Sequence, residues 1–509
     1  MQGGVQVGGN YEKSVYNQLM EVMERLDTVE MKHHLEVDRL KDEMSGLKKE
    51  HRQEVSHLNE EITELKQENT KLRSENRLLL EDNARLKSIL DNDSTNSSLP
   101  PSKDQKGTKS ANHYNGRTKS EKKAGGQNGH KGKTLTKAEV EEKLRSGKYR
   151  HEVRVFGDER NGRYITKYVV DLEVSPKITE IRIYAGKDGK IQIPPEYRSD
   201  VTYGTEVKAL CVSLYSEGAM SNDRIASFLN AASGGLLGLS EGSVYGFCRK
   251  LADQSVESIS RLEERLLNQQ VVATDATTAT ENGKQRYIRN FSIADTVTYK
   301  VMESKSIPSL KKIEFLKRYI GILIHDHETA MYHFGTEHGE CNVHLLRYLK
   351  KNTEETKNKW SGELSGLLCE IKRKKKELIE QGKSFFSAEV LSEYEKRYDE
   401  LIKKGCEENK KTGHKYAKQE EKTLLNRLEK YRHNHLLFMH NFSVPFDDNI
   451  SERDLRKIKN RQKMAGGFRK ESGMKMYCAI LTVIETLKKR KMGIIEHLRQ
   501  LFMGAPAIF

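Results

Sequence analysis

Leucine recurs every seventh residue at Leu58, Leu65, Leu72, Leu79 and Leu86, and Ile62, Asn69, Asn76, Asn83 and Leu90 stand four residues after each. This is the d and a pattern of a coiled-coil seam, so residues 11–90 are predicted to form one long oligomerising helix. An earlier seam, with Leu19, Leu26, Leu40 and Leu47 at d and Met23, Val37 and Met44 at a, is offset from it by a four-residue stutter, which locally unwinds a supercoil. Successive Asn at a weaken the seam and reward a partner with Asn at the same level, which favours an in-register parallel dimer. The heptads stop at Asp91, where Ser, Asn, Gly and the pair Pro100-Pro101 predict an irregular segment over 91–133. Residues 134–200 alternate apolar and polar positions, as in Tyr168-Val169-Val170-Asp171-Leu172-Glu173-Val174, and predict a small β module. Residues 201–268 read as several short helices, the last offered a cap by Ser240 and Ser243. Their rhythm fits either a DNA-reading helix-turn-helix or a plain packing domain.

The apolar runs Val271-Val272-Ala273-Thr274 and Gly321-Ile322-Leu323-Ile324-His325 are short enough for buried strands. A hairpin from Arg286 to Ile293 and from Thr296 to Met302, then a helix from Ser309 to Tyr319, lies between them. The resulting order is β-β-β-α-β. Lys/Glu-rich helical sequence from Ser361 to Lys430 follows and predicts a helical insertion.

Charge narrows the partners. With 89 Lys plus Arg against 74 Asp plus Glu, the 509-residue chain carries a formal +15, which favours a polyanion such as nucleic acid. Lys103, Lys106, Lys109, Arg117, Lys119, Lys122, Lys123, Lys131 and Lys133 cluster in the irregular segment, a cationic arm suited to phosphates without sequence choice. Gly132-Lys133-Thr134 is not a phosphate-binding loop, because Gln127 stands where its first glycine belongs. Six scattered cysteines without a CxxC pair fit a reducing cytoplasm. With no signal peptide and no long apolar run, no membrane is expected.

Candidate chemistry sits where these patterns end. Asp275 closes the first apolar run and Asp326 the second, while Glu452 lies in Asn449-Ile450-Ser451-Glu452-Arg453, where Asn449 could cap a helix. Two strand-end acids and one helix acid are the arrangement of ribonuclease-H-like nucleases. Two Mg²⁺ ions about 3.5–4 Å apart need such shared oxygen ligands. Arg456, Lys459 and Lys463 fall on the glutamate's own helix face and could offset phosphate charge. Cys341-Asn342-Val343-His344 is half of a zinc motif with no second half nearby, and Trp360 is expected to pack rather than stack on a base.

Several phrases resemble the insertion-sequence transposases of the IS-sixty-six type, members of the DDE superfamily. They are Gly125-Gly126-Gln127-Asn128-Gly129-His130-Lys131-Gly132, Leu239-Ser240-Glu241-Gly242-Ser243-Val244, Asp275-Ala276-Thr277, Leu323-Ile324-His325-Asp326, the Cys341/His344/Arg347 phrase, and Asn449-Ile450-Ser451-Glu452-Arg453-Asp454-Leu455-Arg456. The resemblance implies Asp275, Asp326 and Glu452 as a metal-binding triad for two Mg²⁺ or Mn²⁺ ions. It implies cleavage at element ends and strand transfer into target DNA, with terminal inverted repeats and target DNA as partners and element-encoded accessory proteins as possible ones. The alternative is a catalytically inactive DNA-bridging or regulatory derivative. The chain departs from the family at Ala276, where a glutamate is usual, at Asp448, where an asparagine is usual, and in residues 134–200, which lack the family's zinc-binding cysteines. Zinc is therefore not expected.

The expected architecture is α+β and multidomain. It comprises a coiled coil (11–90), a basic linker (91–133), the β module (134–200), a helical region (201–268), a ribonuclease-H-like core (269–345 and 440–490) split by the insertion (346–439), and a tail (491–509). The assembly is expected to be a homodimer or higher through the coil.

Overall fold

The computed structural model describes residues 9–90, 135–156, 162, 165–172, 174–413, 415–505 and 509. The chain divides into two compact units, residues 1–90 and 91–509. The first contains α1 (Gly9–Leu90), an unbroken helix across both seams. Leu58, Leu65, Leu72 and Leu79 on it are exposed.

The second unit begins with α2 (Lys137–Arg145), started by a capping box in which Thr136 and Glu139 satisfy each other's backbone N–H groups. The β module expected over 134–200 is not found: among the described residues of that stretch there are only α2 and a 3-10 turn at Pro195–Tyr197. Phe156, Val169 and Leu172 are almost fully exposed. Alternation makes a strand only when a neighbouring strand and a covering layer bury one face, and among the described residues of this stretch neither is present.

The helices α3 (Thr205–Ser216), α4 (Asn222–Ala232), α5 (Glu241–Gln254) and α6 (Val256–Leu267) follow. Ser240 caps α5, accepting the Ser243 N–H at 3.1 Å as its sequence suggests. The sheet then forms from β1 (Val271–Ala273), β2 (Ala276–Glu281), β3 (Lys284–Ser292) and β4 (Val297–Met302). The two short helices α7 (Ile307–Leu310) and α8 (Glu314–Arg318) stand where one helix over 309–319 was expected. Pro308 sets the first turn of α7, and neither helix is long enough to carry a continuous apolar stripe. β5 (Ile322–His325) and β6 (Glu337–Glu340) complete the sheet.

β2 was not anticipated. Asn282-Gly283, both at positive φ, turn the chain tightly between β2 and β3, the backbone that two-residue hairpins require. β1 and β2 share one register on β3, Ala273 opposite Ser292 and Ala276 opposite Arg289, so they are one strand interrupted at Thr274-Asp275. Across the sheet the order is β4, β3, β1/β2, β5, β6, with β3 antiparallel to its neighbours and β5 and β6 parallel to β1.

The stretch after β6 forms α9 (Asn342–Thr356), α10 (Trp360–Glu380), α11 (Ala388–Lys411), α12 (Lys415–Lys430) and α13 (Arg432–His440). Trp360 is buried as expected, its indole N–H donating to Glu421 at 2.7 Å. The chain closes with α14 (Asn449–Ala465), α15 (Glu471–Lys489) and α16 (Ile494–Phe502), the last lying within the predicted tail.

Three apolar clusters hold these layers. Val272, Phe291 and Leu323 pack on one sheet face with α7 and α8, while Ala273, Ile322 and Ile324 pack on the other with α9–α13. Ile288, Val297 and Tyr299 share the third with α3–α5 and α14–α16. Among the described residues no helix is long and apolar enough to cross a membrane.

Candidate active site

Strand register brings the first two acids together. The 51-residue offset that pairs Val271 with Ile322 and Ala273 with Ile324 ends there, and Asp275 and Asp326 each stand two residues beyond the last pair, near enough for Asp326 to help raise the Asp275 carboxyl. Neighbouring strands lie about 4.8 Å apart. The last paired residues before them, Ala273 and Ile324, pack toward α9–α13. Asp275 occupies the interruption between β1 and β2, where Asn290 of β3 accepts its N–H at 3.0 Å. Its carboxylate accepts the Ala276 N–H at 2.6 Å.

Asn290 also docks the third acid, since its side-chain amide donates to the Ser451 carbonyl of α14 at 2.9 Å. Ser292 donates to Asp454 at 2.8 Å and Tyr299 to the Asp454 carbonyl at 3.1 Å. These bonds lay the first turns of α14 on the sheet beside Asp326. Glu452 and Asp326 there flank one imidazole, with His344 Nε2 at 3.6 Å from Glu452 Oε1 and 3.7 Å from Asp326 Oδ2. The helix is not capped as expected: Asp448, not Asn449, holds the N-cap position, and its side chain makes no capping bond. Asp448 is instead buried, close enough to Asp275 and Glu452 to feel their charge.

The cluster is short of donors. Asp326 Oδ1, Glu452 Oε1 and Asp448 Oδ1 are buried without hydrogen-bond partners, as is His344 Nδ1. Burial, then Asp275 and Glu452, push the Asp448 carboxyl well above the ordinary range. Burial also raises Asp275, with Asp326 adding to it, against the pull of Lys305, the Ala276 N–H and Arg289. Buried acceptors crowded with like charge are what a divalent cation relieves, and carboxylate oxygens are donors that Mg²⁺ or Mn²⁺ accept.

Behind the site Arg289, fully buried, donates to Thr274 at 3.1 Å and to Glu328 at 2.6 Å, and Lys305 reaches Glu328 at 3.4 Å. The loop after Asp326 is anchored through His327, whose Nδ1 lies 2.7 Å from Glu340. Arg427 of α12 donates to the same carboxylate at 2.6 Å, and Tyr332 also bonds it. Although burial pushes Glu340 up, His435, His327 and Arg427 hold it far below the usual range. The insertion is thereby tied to the loop carrying the second acid.

Arg289, Asn290, Glu328 and Lys305 were missed from sequence. The signal was the polar pair Arg289-Asn290 inside the apolar run Tyr287 to Phe291, which a buried strand carries only when both side chains have partners. Of the predicted cations on α14, Arg456 and Lys463 are exposed, whereas Lys459 donates to Thr278 of β2 at 2.9 Å. The nine arm cations from Lys103 to Lys133 lie outside the described residues.

A family model described as Transposase IS66 family matches residues 201–476, a little over half of the chain. The chain belongs to this family. The match spans the sheet, the insertion and all of α14, and so takes in every acid of the cluster. The transposase's residues 46–136 match a second model, for a family of unknown function, DUF6444. No curated protein and no solved structure matches.

Proposed function

We propose that this transposase is a divalent-metal-dependent DDE enzyme, cutting DNA strands at the ends of an insertion sequence and joining them to target DNA. The observation that supports this reading is the parallel pairing of β1 with β5, which ends two residues before Asp275 and Asp326, together with the bonds from Asn290 and Ser292 to the start of the Glu452 helix. The sheet order β4, β3, β1/β2, β5, β6 with β3 antiparallel is that of ribonuclease-H-like nucleases, and it supports residues 269–345 and 440–490 as such a core.

Asp275, Asp326 and Glu452 would hold two Mg²⁺ or Mn²⁺ ions, which when bound supply charge neutralisation at the phosphodiester and an activated oxygen nucleophile. Asn290 fixes the backbone at Asp275, and the His327–Glu340–Arg427 network fixes the loop after Asp326, so the acids keep their spacing without substrate. Exposed Arg456 and Lys463, and Lys459 between them, line the helix face along which a phosphate backbone would approach Glu452. The arm adds phosphate contacts without sequence choice, and helices 201–268 are the candidate reader of end sequences. The exposed leucines of α1 fit a parallel dimer that holds two element ends together.

The test is cleavage of DNA carrying the sequences that flank this reading frame. Metal-dependent nicks at the flanking repeats are expected. Tight binding to those ends without nicking under any divalent cation would assign the chain to the inactive, DNA-bridging alternative.

A further inference from the structure

The two cations that act on Asp275 differ in reach. Arg289 is fully buried and already bonded, donating to Thr274 at 3.1 Å and to Glu328 Oε1 at 2.6 Å. Lys305 lies in the turn between β4 and α7, with its side chain 39% exposed. Its Nζ stands 3.4 Å from Glu328 Oε2, longer than the about 2.7–2.9 Å of a charge-assisted hydrogen bond. Glu328 is held in the interior by Arg289 alone, and a half-exposed lysine adds little to a carboxylate so paired.

The turn nevertheless holds this lysine in place. On either side of it, Ser304 Oγ accepts the Ser306 N–H at 3.3 Å and Ser309 Oγ accepts the Ser304 N–H at 3.4 Å. Its loose partner Glu328 follows Asp326 by two residues, and Arg289 links that carboxylate to Thr274, the neighbour of Asp275. Lys305 therefore borders both strand-end acids. Burial pushes the Asp275 carboxyl up, and of the charges around it Lys305 pulls it down most. Cations held by the acids would end that attraction, and an incoming phosphodiester would be the anion left for the ammonium.

We propose that Lys305 is a catalytic residue, donating from its ammonium to a non-bridging oxygen of the DNA phosphate at the acid cluster and stabilising the charge that builds there during cleavage. It keeps its proton and forms no covalent bond; its part is electrostatic, from a group set in place before the DNA arrives. The inference rests on the reading of Asp275 and Asp326 as acids of a DNA-cutting centre, and it adds a phosphate contact from an element other than α14.

The experiment compares wild type, Lys305→Ala and Lys305→Arg on end DNA, measuring the cleavage rate at saturating DNA and the affinity separately, with melting temperatures to show that each variant is folded. Lys305→Ala should cut about a hundredfold or more slowly while losing no more than about fivefold in affinity, and Lys305→Arg should retain most of the rate. A scan of single neutral methylphosphonate linkages across the cleavage site then shows whether Lys305 meets a phosphate. At one linkage the neutral group should slow wild type but slow Lys305→Ala no further, and affinities in Ca²⁺ should show the same non-additivity. Lys305→Ala cleavage within about threefold of wild type would overturn the proposal. So would a defect that adds to that of every neutral linkage, which is the mark of a lysine that only supports Glu328. A wild-type chain that binds the ends and cuts nothing counts against the catalytic reading; coupling of Lys305 to one linkage in the affinity scan would still place the ammonium on a phosphate, and additivity there would overturn that contact as well.

Discussion

Asp448→Asn should stabilise the metal-free protein, by an amount that grows with pH. Asp448 is buried, its Oδ1 has no partner, and burial with Asp275 and Glu452 raises its carboxyl well above the ordinary value. A carboxyl raised on folding contributes its stability in full below the unfolded value of about 3.9, and that contribution is lost as pH rises toward the folded value. Each pH unit over which the folded carboxyl keeps its proton while the unfolded one has lost it costs about 1.4 kcal/mol. Asparagine keeps the shape and escapes the loss. For a folded unit of about 300 residues, 1 kcal/mol moves Tm by about 1.5 °C, so the variant should melt above wild type at pH 7 and by a smaller margin at pH 5. Calorimetry of both chelator-treated proteins at matched pH cancels the titration of groups remote from Asp448. Saturating Mn²⁺ should raise the wild-type Tm and shrink the gap. A gap that stays flat between pH 5 and 7, or a variant less stable than wild type, would refute the picture of crowded, underdonated acids.

Three further outcomes are expected. The isolated segment 50–92 should sediment as a dimer at tens of micromolar, and changing Asn69, Asn76 and Asn83 to Ile should raise its melting temperature while relaxing its oligomer choice; a monomeric segment contradicts the seam. Deleting the basic arm should flatten the slope of log affinity against log salt by several units, at about 0.9 per lost phosphate contact, and leave preference for end DNA intact; an unchanged slope would reduce the arm to a tether. Trp360→Phe removes one donor from buried Glu421, which still accepts from Asn352, Asn358, Asn409 and Thr412, so urea denaturation should show a loss of about 1–3 kcal/mol, and no loss would contradict that network.

The three candidate acids were legible because each sits where a pattern ends. Val271 to Thr274 and Gly321 to His325 are apolar runs that suit buried strands, and the structure pairs β1 with β5 there, with Asp275 and Asp326 just beyond their ends. The long N-terminal helix was equally plain in its heptads. β2 escaped because Ala276-Thr277-Thr278-Ala279-Thr280 is too small and polar to read as a buried strand, although Asn282-Gly283 announced its hairpin. The module over 134–200 was over-read, since alternation reports what a strand could bury and not whether anything is there to cover it. His344 and Asp448 became part of the site only through tertiary placement, because helix α9 and the turn before α14 are joined there by long-range packing that no local pattern encodes.

The most direct test of the central claim compares wild type with Asp326→Asn on labelled end DNA, measuring binding by gel shift and strand cleavage in Mg²⁺ or Mn²⁺ on the same samples. The amide preserves shape and removes the charge that holds the cations, so binding should remain within about twofold while cleavage falls below detection. Cleavage by Asp326→Asn at near wild-type rates would show that the strand-end acids are not the catalytic centre.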